Sequence, residues 1–191
     1  SDGGLRFVVA ALEASVVLGG KAGKRLTVGG GASSLKVHHE CTPLGGIRAA
    51  VGNRVKVLYE RGYVGDVTTS YNGVDSGQDL ADSRTSGQLL ADAVAAARQA
   101  DAVLFVGGLN KSDYQDCEGA DRREYGLPYG QDAVIEALAA ANPRLAVVFV
   151  SGNAVALPWI DRVPAVLEAW FPGSAAGHAL ADVVFGVVSP A

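Results

Sequence analysis

The sequence predicts an α/β protein, a three-layer α/β/α sandwich around a mostly parallel sheet. Two observations lead there. Ala102–Val106, Leu145–Val150 and Ala165–Ala169 are apolar almost without interruption, as in strands covered on both faces. They alternate with segments such as 86–97 and 132–141 that carry apolar residues on one helical face. That alternation belongs to an α/β fold rather than a bundle or an all-β sandwich. A length of 191 residues suits one such domain over 1–191, or one and a half at most.

The elements follow in order. Ser15–Leu18 reads as a first buried strand with an exit at Gly19-Gly20, and Leu5–Ala14 before it fits helix or strand equally. Gly29-Gly30-Gly31-Ala32-Ser33-Ser34 is a glycine-rich loop, suited either to plain flexibility or to close approach of backbone to a ligand. It is not a phosphate loop: Leu18 stands where the leading glycine should be relative to Gly23-Lys24, and Arg25 where Ser or Thr should be. Thr42-Pro43 opens a helix that runs to about Val51 and stops at Gly52. Val55–Tyr59 is the next strand, and 62–87 is a polar stretch that reads either as a long surface excursion or as partly disordered. Ser86 is the expected cap of the helix through Leu89, Leu90, Ala93, Val94 and Ala97. After the strand at 102–106 and the helix at 132–141, Asn142-Pro143 gives a stop before the strand 145–150. Ser174 is the expected cap of a last helix carrying Leu180, Val183, Val184 and Phe185.

Composition excludes several function classes. Net charge is −4 with both signs mixed, whereas a nucleic-acid surface needs a basic face. No apolar run reaches the length of a membrane span. The opening SDGGLRFVVAALEASVVLGG lacks the basic, apolar and small-residue order of a signal peptide. Cys41 and Cys117 have no metal-ligand spacing and read as free thiols. His38, His39 and His178 form no metal set, and no cofactor motif is present. The sequon Asn110-Lys111-Ser112 is of a kind that arises easily by chance.

The stretch with chemistry in it is the loop from Gly107 to Gly130. Loops of that length within a domain are usually functional or disordered. A loop leaving the carboxyl end of a parallel strand also opens onto the crevice where α/β proteins bind ligands. It carries Asp113, Asp116, Glu118, Asp121 and Glu124, with Arg122 and Arg123 among them. For any one of these carboxylates, a solvated charge is the commoner role. Asp121 and Arg122 read as a pair that holds the loop's shape. Trp159 and Trp170 could stack on a sugar, although aromatic residues near strand ends are more often core.

Three segments together carry a resemblance. EG-x-DR-x-x-x-x-LP (Glu118 to Pro128), SGNAVALPW (Ser151 to Trp159) and AWFPGSAAGHALADVVFG (Ala169 to Gly186) occur in that order. With GGGASS and Cys41-Thr42-Pro43-Leu44 upstream, the chain from about Val16 to Ser189 resembles the second domain of glycoside hydrolase family 3, the β-glucosidase and β-xylosidase family. The resemblance implies a two-domain enzyme in which a (β/α)8 barrel supplies an aspartate nucleophile and this domain supplies the acid/base glutamate. Glu118 matches that glutamate. Ser33 and Ser34 are implied contacts to sugar hydroxyls. No residue of this chain matches the nucleophile, and Val187 stands where an aspartate is common in the family.

Retaining hydrolysis of a β-glycoside or oligosaccharide needs two carboxyl groups roughly 5–5.5 Å apart, one attacking while the other protonates the leaving oxygen and later activates water. The acid keeps its proton near neutral pH only if apolar surroundings or a nearby carboxylate raise its pKa. Two other functions fit the same α/β pattern. One is a non-catalytic sugar- or protein-binding module, and the other is a flavodoxin-like nucleotide domain, which the missing phosphate loop disfavours.

Overall fold

The computed structural model describes residues 14–18, 38–65, 70–71, 74–75, 82–110, 114–116, 119 and 121–190. Five strands form the sheet: β1 (Ala14–Leu18), β2 (Lys56–Glu60), β5 (Ala102–Gly108), β6 (Leu145–Val150) and β7 (Ala165–Glu168). Their order is β2-β1-β5-β6-β7 and every pairing is parallel. The pair β3 (Ser70–Tyr71) and β4 (Val74–Asp75) forms a small antiparallel ribbon apart from this sheet. The helices are α1 (Pro43–Val51), α2 (Ser86–Gln99), α3 (Gln131–Ala141) and α4 (Ala176–Val184).

The expected sandwich follows from alternation along the central strands. Val103, Phe105, Leu145 and Val147 pack on Ala93 and Ala97 of α2 and on Val134, Ile135 and Leu138 of α3. Leu104, Val106, Ala146 and Val148 face the other way, onto Leu44 and Ile47 of α1 and Leu180 and Ala181 of α4. The strands β5 and β6 are buried along their whole length, which is why their sequences show no polar alternation. Each such Val, Leu, Ile or Phe contributes about 1.5–3 kcal/mol by leaving water.

Local chemistry sets the helix ends. Thr42 Oγ1 accepts from Gly45 N at 3.1 Å, Pro43 occupies the first turn, and Gly52 follows the helix with φ +55°, all as the sequence indicates. For α2 the cap is Thr85 rather than Ser86: Thr85 Oγ1 accepts from Gln88 N at 3.2 Å, and Gln88 Oε1 accepts from Thr85 N at 2.8 Å. The Thr-x-x-Gln box satisfies donors in both directions, which Ser86 cannot do from its place inside the first turn. Nor does Ser174 cap α4. That helix starts after Ala175 with no side-chain cap, and the Ser174 carbonyl instead accepts from Cys41 N at 2.9 Å. Helices α1 and α4 approach so closely that a Cβ on Gly46 would lie 1.9 Å from the Gly177 carbonyl oxygen. Gly177 N donates to the Cys41 carbonyl at 2.9 Å, sealing that contact.

The strand order places the site. The chain passes from β1 to β2 on one side, then returns through α2 to β5 on the other side of β1. In open α/β sheets such a reversal marks the carboxyl ends of the strands beside it as the expected binding crevice. The loop after β5 leaves the sheet there, and the exits of β6 and β7 lie beside it. At the end of β2 an ion-pair network ties Glu60 and Arg61 to the residues that lead into α2. Arg84 binds Asp82, Glu60 and Asp92 at 3.1, 3.3 and 2.8 Å, and Arg61 binds Asp82 at 3.3 Å. Hydrogen bonds from Arg84 hold the Asp82 carboxyl well below the usual carboxylate range. No helix among the described residues is long and apolar enough to cross a membrane.

Candidate functional site

The loop between β5 and α3 is stitched down at both ends. Leu109 N donates to the Val150 carbonyl at 2.7 Å, so the exits of β5 and β6 stay paired. Asn110 N donates to Gln115 Oε1 at 2.9 Å, and Asp116 N donates to the Asn110 carbonyl at 3.0 Å, joining Asn110 to the 115–116 pair. Gln115 Nε2 then donates to the Tyr129 hydroxyl at 2.5 Å, tying this pair to the loop's return.

Two anchors reach the exit of β6. The Asp116 carboxylate accepts from Gly152 N at 2.5 Å and from the Asn153 side-chain amide. The Arg122 guanidinium donates to the Ala154 carbonyl and lies 5.8 Å from the centre of the Tyr125 ring. Asp116 and Arg122 are thus both tied to the turn 152–154. A cavity of about 450 Å³ lies here, lined by Gln115, Asp116, Asp121, Arg122, Gly152, Asn153 and Phe171. An adjoining cavity of about 440 Å³ is lined by Tyr114, Arg123, Glu124 and Tyr129 among others. A roomier one, about 530 Å³, lies between the sheet and the end of α4, with no titratable side chain in its wall. The pair of cavities whose walls carry titratable side chains is therefore the candidate site.

The exit of β7 supplies a carboxyl group that the sequence did not single out. Glu168 Oε1 accepts from Trp170 N at 2.8 Å and Ser151 N at 3.3 Å, while Ser151 Oγ lies 3.0 Å from Oε2. Burial pushes the Glu168 carboxyl up, and the Asp116 charge adds to that, against the lowering effect of these hydrogen bonds. The only sign in the sequence is a glutamate ending an apolar strand, Ala165-Val166-Leu167-Glu168. Trp170, with φ +52°, is 61% exposed. Trp159 is fully buried, and its indole N–H donates to Asp132 Oδ1 at 2.7 Å. Of the two tryptophans, one is core and the other faces outward.

Among the sequence-derived candidates, Glu118, Ser33 and Ser34 lie outside the described residues, as do Asp113 and Cys117. Asp116 and Arg122 come together at the 152–154 turn, and Arg122 lines the same cavity as Asp121. The expected pairing of Asp121 with Arg122 is not among the ion pairs of the described residues. Asp121 is exposed, and Arg122 holds the loop through the Ala154 carbonyl instead. Glu124 is exposed. Among the described residues no group of three or more His, Cys, Asp or Glu side chains is placed to hold a metal ion.

Comparison with known proteins agrees with this architecture. The model of the glycosyl hydrolase family 3 C-terminal domain matches residues 11–191. A β-glucosidase of Bacteroides ovatus is 44% identical over 175 residues, 92% of this chain and 22% of that protein. The thermostable β-glucosidase B of Acetivibrio thermocellus is 36% identical over 144 residues, 75% of this chain and 17% of that protein. The chain thus spans about a fifth of the length of these relatives. Among solved structures, a family 3 β-glucosidase of Bifidobacterium adolescentis superposes with a TM-score of 0.71 at 32% identity, over 96% of this chain and 24% of that one. The β-glucosidase of Kluyveromyces marxianus gives 0.80 at 16% identity, over 92% of this chain and 38% of that one, which shows the shared fold. Sequence and fold agree that this chain belongs to the glycosyl hydrolase family 3 C-terminal domains, the α/β domain of β-glucosidase-like enzymes.

Proposed function

We propose that residues 1–191 form the acid/base-bearing α/β domain of a retaining β-glycosidase that removes terminal β-linked sugars. Glu118 is the proton donor, and a (β/α)8 barrel joined to this domain provides the nucleophile. The observation that supports this reading is the anchorage of the two described residues that flank Glu118 in the sequence. Asp116 on one flank and Arg122 on the other are fixed to Gly152, Asn153 and Ala154 at the carboxyl end of the sheet. A general acid acts only when held within hydrogen-bond reach of the leaving oxygen, and flanking residues fixed in this way are suited to that.

The chemistry divides between the domains. The barrel aspartate attacks the anomeric carbon while the Glu118 carboxyl gives its proton to the departing oxygen. The resulting carboxylate then takes a proton from water as that water releases the sugar. Retention requires the two carboxyl groups to face each other at roughly 5–5.5 Å. Docking against the barrel would desolvate Glu118 and raise its pKa, so that it is protonated at the start of the cycle. Ser33 and Ser34, in the glycine-rich stretch 29–34 of the sequence, are assigned to the sugar hydroxyls. Asp121 and Arg122 keep the loop's shape, Arg122 through Ala154. No cofactor enters this reaction.

The division of carboxylates gives a direct test. The chain alone is expected not to turn over an aryl β-glucoside at an enzymatic rate, and joining it to a family 3 barrel is expected to confer turnover. Robust hydrolysis by the pure chain, lost on Glu118→Gln, would place both carboxylates within this domain and end the two-domain reading. A joined protein that binds the glucoside but never cleaves it would favour a non-catalytic binding module.

A further inference from the structure

Gln131 is the first residue of α3, where a glutamine would ordinarily point into solvent, yet it is fully buried. Tyr129 and Gly130 before it both have left-handed backbone, φ 62° and 70°. This double reversal turns Gln131 under the end of the sheet. Its Oε1 accepts from Gly108 N at 2.7 Å, and its Nε2 donates to the Gly108 carbonyl at 2.9 Å and to the Pro128 carbonyl at 3.0 Å. The carboxamide therefore acts as one peptide unit of an extra strand beside the last residue of β5. The approach leaves no room for other side chains: a Cβ on Gly107 would lie 2.4 Å from Gln131 Oε1, and one on Gly108 would lie 2.2 Å from the Val150 carbonyl oxygen.

These bonds join the two ends of one loop, since Gly108 is where the chain leaves the sheet and Pro128–Gln131 is where it returns. Tyr129, the strained residue beside Gln131, also receives the bond from Gln115, the residue before Asp116. We propose that Gln131 is a positioning residue for the reaction, joining the described ends of the 108–131 loop at its base and so limiting the freedom of the acid/base group that the loop carries. This rests on the acid/base assignment above. An apolar side chain of equal length would fill the space but could not bridge the loop's ends. A buried amide with both N–H groups and its oxygen engaged is costly to replace, because Gly108 N–H and C=O would lose their partners.

The test uses the domain joined to its barrel and measures kcat/KM, which reports the sugar–enzyme bond-forming step, on two glucosides. One has a poor alkyl leaving group and the other an activated aryl group that departs without a proton. Gln131→Met is expected to lower kcat/KM on the alkyl glucoside by roughly 10²-fold, the scale of a misplacement of about 1 Å. On the activated glucoside the expected loss is within about 3-fold, because little acid catalysis is used there. Equal losses on both substrates, or none, would overturn the proposal, since a merely structural role would not discriminate between leaving groups. Glu118→Gln is measured in parallel. If it shows the leaving-group dependence and Gln131→Met does not, the positioning role alone falls; if neither shows it, the acid/base reading falls as well.

Gln131→Glu covers the case in which the Met variant does not fold. When protonated, the introduced carboxyl can accept from Gly108 N–H and donate to the Gly108 carbonyl. When ionised, it faces two carbonyl oxygens. Its activity on the alkyl glucoside, as a ratio to the native enzyme, should therefore recover on acidification. A ratio independent of pH would overturn the proposal.

Discussion

Asp116, Arg122 and Glu168 show how much of the site is fastening. Asp116 spans 36 positions to reach Gly152 N, and Arg122 spans 32 to reach the Ala154 carbonyl. Neither reach is visible in the sequence, where these residues read as rivals of Glu118 or as partners of near neighbours. The Asp116→Ala variant removes the acceptor for Gly152 N and for the Asn153 amide. A loss of about 1 kcal/mol is expected for such exposed bonds, measurable by denaturant unfolding. A midpoint equal to the native one would show that the anchor is not made in solution. Glu168 makes a prediction in pH. Its folded pKa lies above its ordinary value, so its protonation adds stability that is fully present below the unfolded pKa and fades as pH rises through the folded one. The melting temperature of Glu168→Gln relative to the native protein should therefore shift between neutral and mildly acid pH. A difference that stays constant across that range would mean the carboxyl is not perturbed.

At the scale of elements, strands and helices were largely legible, and the reasons are physical. Strands β5 and β6 are covered on both faces, so their sequences are continuous apolar runs. Thr42, Pro43 and Gly52 give α1 a start and a stop from local chemistry alone. Two expected caps differ in the structure for different reasons: Ser86 stands beside a competing Thr85, whereas Ser174 has no rival, and α4 simply starts after Ala175 without a side-chain cap. In α2 the Thr85–Gln88 box wins. Thr85→Ala should cost about 1 kcal/mol, read as a lowered unfolding midpoint, whereas Ser86→Ala should change little; the reverse ranking would contradict the assigned cap. The crossing of α1 and α4 was not legible, because nothing local marks Gly46 and Gly177 as partners. Gly177→Ala would put a Cβ 2.1 Å from the Thr42 carbonyl oxygen. Overpacking of that kind costs typically about 1–3 kcal/mol, and a variant as stable as the native chain would show that the helices can move apart.

For the whole molecule, the carboxyl end of the sheet presents aromatic surface. Trp170 and Tyr125 are each 61% exposed and Tyr114 is 50% exposed. Arg123 lies over the Tyr114 ring, 3.9 Å from its centre. By sequence either tryptophan could stack on a sugar, with core the commoner role; Trp159 is core and Trp170 lies at the surface. Trp170 is also held in left-handed backbone, a conformation that costs a bulky residue on the order of 1–3 kcal/mol and clusters at functional sites. In the two-domain enzyme this face is where the barrel is expected to dock. With Trp159 already buried, docking should change the fluorescence of Trp170 alone, with a shift to shorter wavelength in a Trp159→Phe background. An unchanged spectrum would put the barrel elsewhere. The far side of the sheet edge responds to acid in its own way. Asp82 is held low by Arg84 and Arg61, so the stability it contributes is present above its ordinary value of 3.8 and is lost as pH falls toward the folded one.

The central claim is that Glu118 donates the proton and then serves as the base, and one measurement reaches it directly. In the domain joined to its barrel, Glu118→Gln should slow glycosides with poor leaving groups by on the order of 10²–10⁴-fold, because glutamine cannot supply general acid catalysis. With an activated aryl glucoside the first step should survive and the covalent sugar–enzyme should accumulate, since water has no base. Azide attacks without one, so adding it should restore turnover and yield the β-glycosyl azide, while Asp116→Asn and Glu124→Gln should show no such rescue. Rescue by azide at Asp116, Asp113 or Glu124, with none for Glu118→Gln, would move the acid/base role to that residue and contradict the account.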